Sequence, residues 1–163
     1  MKKKNKYYWD SSVFIALIMN EDRTPAEKQG LNEAVTEIDA GRATLITSIQ
    51  TDLEVLDADL TEKQKKLYDS SLKKPTTVRV NTSHKVIGEA RKIIDFYRRQ
   101  SPKIVVKQID AIHLATALLH EVDELHTYDE DMLRFDRNLM GHNIRIRRPS
   151  TDQTSLPLLV NDA

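Results

Sequence analysis

Lys6-Tyr7-Tyr8-Trp9-Asp10-Ser11-Ser12-Val13-Phe14-Ile15-Ala16-Leu17-Ile18 is the stretch that decides the fold. Its aromatic run predicts a short strand that ends at a carboxylate. Val13, Phe14, Ala16, Leu17 and Ile18 then suit a helix, with Ser11 or Ser12 as its cap. An acid between Trp9 and the apolar run from Val13 is poorly placed for ordinary solvation, which makes Asp10 the leading candidate for a functional carboxylate.

Working outward, residues 25–40 predict a second helix. Pro25 suits its first turn, Leu31, Ala34, Val35 and Ile38 form its stripe, and Gly41 suits its end. Ala43–Thr47 is the next strand, followed by a helix carrying Ile49, Leu53 and Leu56 with Ser48 as cap. Val78–Val80 is a brief strand. Ser83 opens a long helix striped by Val86, Ala90, Ile93 or Ile94, and Tyr97, which Pro102 closes. Residues 103–108 suit a strand or a loop. A small, apolar helix starts at Asp110; Glu124–Thr127 and Ile144–Arg147 are the last strands, with a helix over Leu133–Leu139 between them. Strands alternating with helices indicate an α/β layer fold with a mainly parallel sheet.

The chain has 163 residues, a length that suits one domain with a single core: residues 1–148, followed by a C-terminal extension over 149–163. Equal numbers of basic and acidic residues, 25 of each, argue against a dedicated basic coat for nucleic acid. Zero cysteines exclude disulfides, thiol nucleophiles and cysteine zinc sites. Lys2, Lys3, Lys4 and Lys6 before an apolar run imitate a secretory signal, but Asp10, Ser11 and Ser12 interrupt it and no small-residue cleavage site follows. No stretch approaches the roughly 20 apolar residues of a membrane span, so a cytoplasmic protein is expected. The charges are segregated: residues 61–110 carry a net +8 and residues 111–133 a net −6. Such blocks suit solvated helix faces, or an acidic pocket rimmed by basic surface.

Parallel α/β sheets place their sites at the carboxyl ends of strands. Asp10 and Asp129 fall there, Asp110 sits at a helix start nearby, and Glu54 can point back into the same space from its helix. Four carboxylates in one pocket require cations, and hard oxygen donors suit Mg²⁺ or Mn²⁺ and metal-assisted phosphoryl chemistry. Taken singly, Asp110 also suits a helix cap and Glu54 the surface. Asp131 is a supporting acid beside Asp129. His113, His120 and His126 lack metal spacing and are read as packing or surface residues. There is no glycine-rich phosphate loop. A phosphatase using Asp10 as nucleophile would want a second acid two residues on, where Ser12 stands.

Four segments in order, Tyr7-Tyr8-Trp9-Asp10-Ser11-Ser12-Val13-Phe14, Thr47-Ser48-Ile49-Gln50-Thr51-Asp52-Leu53-Glu54, Asp110-Ala111-Ile112-His113-Leu114-Ala115-Thr116-Ala117 and Leu125-His126-Thr127-Tyr128-Asp129-Glu130-Asp131, resemble the PIN-domain ribonucleases. They look most like the VapC-type toxins of bacterial toxin–antitoxin pairs, over residues 6–148. The resemblance implies a three-layer α/β/α sandwich with a five-stranded, mainly parallel sheet, and an endoribonuclease dependent on Mg²⁺ or Mn²⁺. Asp10, Glu54, Asp110 and Asp129 would match the acidic quartet that holds the metal and carries catalysis, with Ser12 and Thr127 orienting ligands or water. Water would attack the phosphodiester in line, leaving a 5′-phosphate and a 3′-hydroxyl. An antitoxin partner and a homodimer are implied in the same way. Lys2–Lys6, Arg98, Arg99, Lys103, Lys107, Arg145, Arg147 and Arg148 would steer RNA phosphates. The competing expectation is a catalytically silent PIN-fold module that binds RNA or protein.

Overall fold

The structure, a computed structural model, describes residues 3–152. Lys2 and the extension beyond Asp152 lie outside the described residues. In chain order the elements are β1 (Asn5–Trp9), α1 (Ser11–Ile18), α2 (Pro25–Asp39), β2 (Ala43–Ser48), α3 (Gln50–Asp57) and α4 (Glu62–Leu72). Then follow β3 (Thr77–Val80), α5 (His84–Arg98), α6 (Gln108–Leu119), β4 (Glu124–His126), α7 (Glu130–Leu133) and β5 (Arg145–Arg147).

The five strands form one parallel sheet in the order β3-β2-β1-β4-β5. Helices cover both faces, giving the expected three-layer α/β/α sandwich. From β1 the chain builds outward through β2 to β3, then crosses to β4 and β5 on the opposite side. The strand order therefore reverses beside β1, and the crevice at the carboxyl ends of β1 and β4 is where such sheets bind ligands.

Side chains alternate across a strand, so the expected single core is divided by the sheet into two clusters. Tyr8 and Ile46 pack with Ile93, Leu114 and Leu125 beneath α5 and α6. Their neighbours Trp9 and Leu45 pack with Phe14, Ile38, Val55 and Tyr68 on the face of α1 to α4. Ile93 and Leu125 are fully buried, positions where truncation to Ala costs about 2–5 kcal/mol.

Local chemistry explains most element ends. Thr24 and Glu27 form a reciprocal capping box at the start of α2, and the turn after it needs the positive φ of +71° that Gly41 supplies. Four expectations are corrected. Asp10, rather than Ser11 or Ser12, caps α1, its Oδ1 accepting the Val13 N–H at 3.4 Å. Ser48 remains in β2 and Ile49 occupies the cap position of α3, although Ser48 Oγ still accepts the Gln50 N–H at 3.1 Å. Residues 103–107 form a loop, and α6 starts at Gln108, which puts Asp110 inside the first turn instead of at the cap. The helix expected over 133–139 is the short α7, which ends at Leu133.

The reason for that last departure is tertiary. The Tyr97 hydroxyl donates to the Asn138 carbonyl at 3.2 Å and accepts the Met140 N–H at 2.9 Å, while Arg137 and Met140 adopt φ of +61° and +50°. Helix α4 has little sequence signal because Tyr68 is its one buried residue.

Gly30 shows how tightly the segment after β5 is seated. A Cβ at this position would meet the Ser150 backbone at 2.3 Å, and Thr151 N–H donates to the Ala26 carbonyl at 3.1 Å. Gly30→Ala is expected to destabilise the chain by about 1–3 kcal/mol through overpacking, and to speed amide exchange of Thr151. A thermal melt and hydrogen exchange that both match wild type would refute that seating.

Candidate metal centre

Asp10 directly follows β1 at the crevice and is 2% exposed. Ser12 Oγ donates to its Oδ1 at 2.6 Å, and Thr127 Oγ1, at the end of β4, donates to its Oδ2 at 2.5 Å. Burial raises the Asp10 carboxyl above the ordinary aspartate value, opposed by the nearby His113 charge and by these hydroxyl donors. Ser12 and Thr127 also serve the strand end: Ser12 Oγ accepts the Tyr128 N–H at 2.9 Å and Thr127 Oγ1 the Asp129 N–H at 2.9 Å. Both supporting residues therefore tie Asp10 to the β4–α7 turn.

Asp129 caps α7, and its Oδ1 accepts the Asp131 N–H at 2.8 Å. Asp110, on the first turn of α6, faces it. Burial, and next the charge of Asp129, push the Asp110 carboxyl up to about 6, against the opposing pull of Lys107 and His113. Asp110, Asp129 and Asp131 each offer an oxygen within 4.8 Å of the others. Asp131 thus stands in the cluster itself, beyond the supporting place that the sequence gives it. Lys107 Nζ donates to Asp131 Oδ2 at 3.0 Å and holds that carboxyl below the ordinary aspartate value.

Glu54, on α3, lies within electrostatic reach of Asp110, and its oxygens are occupied by His113 Nε2 at 2.5 Å and Ser11 Oγ at 3.1 Å. The four expected acids therefore gather at one crevice, but in two arrangements. Asp110 and Asp129 join Asp131 as close neighbours, whereas Asp10 and Glu54 flank them in hydrogen-bonded positions. His113 is a site neighbour that metal-ligand spacing does not identify; its place one turn after Asp110 is the only local signal.

The cluster suits a hard divalent cation. Three carboxylate oxygens converge, burial and next the charge of Asp129 raise the Asp110 carboxyl, and among the described residues the cation hydrogen-bonded to the trio is Lys107. Cavities of about 510 and 430 Å³ lie elsewhere and are lined by none of Asp10, Glu54, Asp110 or Asp129. Asp10 and Asp110 are buried, and the cluster opens to solvent on the side of Asp131, which is half exposed.

Of the basic candidates in the first described residues, Lys3 pairs with Asp123 and Lys6 Nζ donates to the His120 carbonyl at 3.1 Å, at the amino end of β1 away from the acids; the others divide into three groups. Arg98, Arg99 and Lys103 are exposed on the last turn of α5 and the loop after it. Lys107 borders the acids. Arg147 and Arg148 are engaged within the fold: Arg147 bonds the Ser150 carbonyl, and Arg148 pairs with Glu27 and Glu130. Arg145 lies beside them on β5, partly buried. Among the described residues, no helix is long and apolar enough to cross a membrane.

A search of curated proteins finds no match. Solved structures do share the fold. The Rickettsia felis VapBC2 complex bound to a promoter DNA fragment aligns with a TM-score of 0.63 at 12% identity, covering 86% of this chain and 98% of that one. FitAcB from Neisseria gonorrhoeae aligns at 0.58 and 15% identity, covering 88% and 97%. A toxin–antitoxin complex from Klebsiella pneumoniae aligns at 0.56 and 23% identity, covering 78% and 89%. These likenesses concern the fold. The PIN-domain family model matches residues 7–138, a span that runs from β1 past α7 and includes every acid of the crevice; the chain belongs to the PIN-domain family.

Proposed function

We propose that this chain is a metal-dependent endoribonuclease, the toxin of a VapC-type toxin–antitoxin pair. The observation that carries the proposal is the convergence of Asp110, Asp129 and Asp131 within 4.8 Å, beside a buried Asp10, at the strand-order reversal. Asp10, Glu54, Asp110 and Asp129 are the proposed catalytic and metal-holding acids, joined by Asp131. A Mg²⁺ or Mn²⁺ ion held there would polarise the phosphodiester and offset charge on the leaving oxygen.

The chain's own groups do the rest. Ser12 and Thr127 fix the direction of the Asp10 carboxylate, and the Asp129 carboxylate is fixed by the Asp131 N–H. Lys107, released from Asp131, is placed to meet an RNA phosphate, with Arg98, Arg99 and Lys103 as more distant steering charges. Arg145, Arg147 and Arg148 act, on this proposal, after exchanging their internal partners. Residues 1–148 make the nuclease domain and 149–163 an extension. The proposed setting is cytoplasmic, with RNA as substrate, an antitoxin as protein partner, and a second copy as dimer mate.

The test is cleavage of a mixed RNA by the purified chain with Mn²⁺, with EDTA, and with Asp129→Asn. Products bearing 5′-phosphates, present only with the metal and reduced at least a hundredfold in the variant, are expected; several kcal/mol of charge stabilisation is about that factor or more. Folded protein that binds RNA in EDTA yet yields no products with Mn²⁺ would replace the nuclease with the silent binding module.

A further inference from the structure

His113 is 1% exposed, yet both of its ring nitrogens are engaged. Nε2 lies 2.5 Å from Glu54 Oε1, and Nδ1 lies 2.6 Å from the Tyr8 hydroxyl. The three residues come from α6, α3 and β1, so the contacts join three separate elements at the crevice. A carboxylate can only accept, so the proton of the short contact sits on Nε2. Nδ1 is left to the Tyr8 phenol, whose hydroxyl can donate to an unprotonated nitrogen or accept from a protonated one.

We propose that Tyr8 and His113 are a positioning pair that holds Glu54 toward the acidic cluster, a role that rests on the metal-dependent reading above. Neither residue touches the reacting phosphate. Glu54 has three rotatable bonds and sits on a short helix whose other residues include exposed Leu53 and Leu56. Ordering such a side chain is entropically unfavourable. Here the imidazole at Oε1 and Ser11 at Oε2 order it before any ion arrives. Tyr8 acts one bond further back, by holding Nδ1 so that the ring stays aimed at Glu54, as outer partners orient the histidines of metal sites.

The experiment titrates Mn²⁺ into the full chain by electron paramagnetic resonance, for wild type, His113→Leu, His113→Gln, Tyr8→Phe and Asp110→Asn, and records ring-nitrogen NMR of His113. His113→Leu is expected to weaken Mn²⁺ binding about 10- to 100-fold. His113→Gln, whose amide nitrogen can still donate to Glu54, is expected to recover most of the loss. Tyr8→Phe should weaken binding less than His113→Leu and shift the Nδ1 resonance, which loses its hydrogen-bond partner. Wild-type affinity in His113→Leu, a Gln variant as weak as the Leu variant, or a wild-type ring unprotonated at Nε2 would each overturn the pair. If His113→Leu fails to fold, the Gln and Phe variants decide. Strong wild-type binding that Asp110→Asn removes, with the His113 variants unchanged, sinks the positioning role alone; wild type that binds no Mn²⁺ sinks the metal centre and the pair with it.

Discussion

Asp110→Asn is expected to make the metal-free chain more stable than wild type at neutral pH and to remove most of its stabilisation by Mn²⁺. The Asp110 carboxyl is pushed up to about 6, first by burial and then by the charge of Asp129. In the unfolded chain it returns to an ordinary value near 4. Below pH 4 both states hold the proton, and the group is neutral to stability. Between about pH 4 and 6 the unfolded chain releases the proton while the fold retains it, so stability falls as pH rises; above 6 the full penalty persists. Its size is on the order of 2–3 kcal/mol, about 5–10 °C in melting temperature for a domain of this length. The amide of Asn carries no charge and escapes it. Melts of the two proteins should therefore diverge through this window and converge below it. Mn²⁺ at a hundredfold excess over its dissociation constant stabilises the wild-type fold by about 2.7 kcal/mol and closes the gap, and a thousandfold excess, about 4.1 kcal/mol, reverses the ranking, because the variant has lost a donor. Equal melting temperatures at pH 7.5 would show that Asp110 is not strained by its neighbours; an undiminished Mn²⁺ shift would show that the ion binds elsewhere.

That strain was visible in the sequence only as a position. Asp110 at a helix start fits a cap as well as a ligand, and both readings depend on where the helix begins. The structure starts α6 two residues earlier, at Gln108, with the loop residue Lys107 in the cap position. Asp110 is thereby turned from the helix end toward Asp129. Strand β1 and the acid after it were legible because the aromatic run and the carboxylate that ends it are contiguous, whereas the cap of α1, expected at Ser11 or Ser12, is Asp10 itself. Asp129 and Asp131 were legible as acids beyond a strand, but their rank was not, since it depends on an Asx-type bond between them and on Lys107, 24 residues away.

His113 was the least legible of the site residues. Its partners lie 105 and 59 residues away in sequence, and metal-ligand spacing is the wrong test for a residue that holds a carboxylate. The helix expected over 133–139 failed for a related reason. Its apolar residues are real core, with Phe135 and Leu139 buried, but the backbone between them is bonded to Tyr97 on α5. Periodicity records which side chains are buried and says nothing of which distant hydroxyl claims the backbone.

Asp10→Ala and Asp10→Asn are expected to abolish cleavage alike while differing sharply in stability. Asp10 is both the proposed catalytic acid and the cap of α1, so Ala removes two things at once. It leaves the Val13 N–H without its acceptor, a loss of about 0.5–2 kcal/mol. It also leaves the buried Thr127 hydroxyl and the Ser12 hydroxyl without the oxygens they meet at 2.5 and 2.6 Å, at about 1–3 kcal/mol for a buried group left unpaired. The two terms overlap, and a total near 2–4 kcal/mol is expected. Asn keeps one carbonyl oxygen for Ser12 and Val13. Its amide N–H₂ faces Thr127 Oγ1, which already accepts from Asp129 N–H and has a second lone pair to offer, while the Thr127 hydrogen can turn to Ser12 Oγ, 3.5 Å away. Asn also removes the burial penalty that raises the Asp10 carboxyl, so its fold should match or exceed wild type. On the proposed chemistry neither variant supplies an anionic oxygen, and both should cut RNA at least a hundredfold more slowly, as loss of several kcal/mol of charge stabilisation requires. Parallel denaturation and cleavage assays separate the two roles. A fully active Asn variant would remove Asp10 from the chemistry and leave it as a cap; an inactive Asn variant with wild-type stability assigns it to the reaction in a way that the Ala variant cannot.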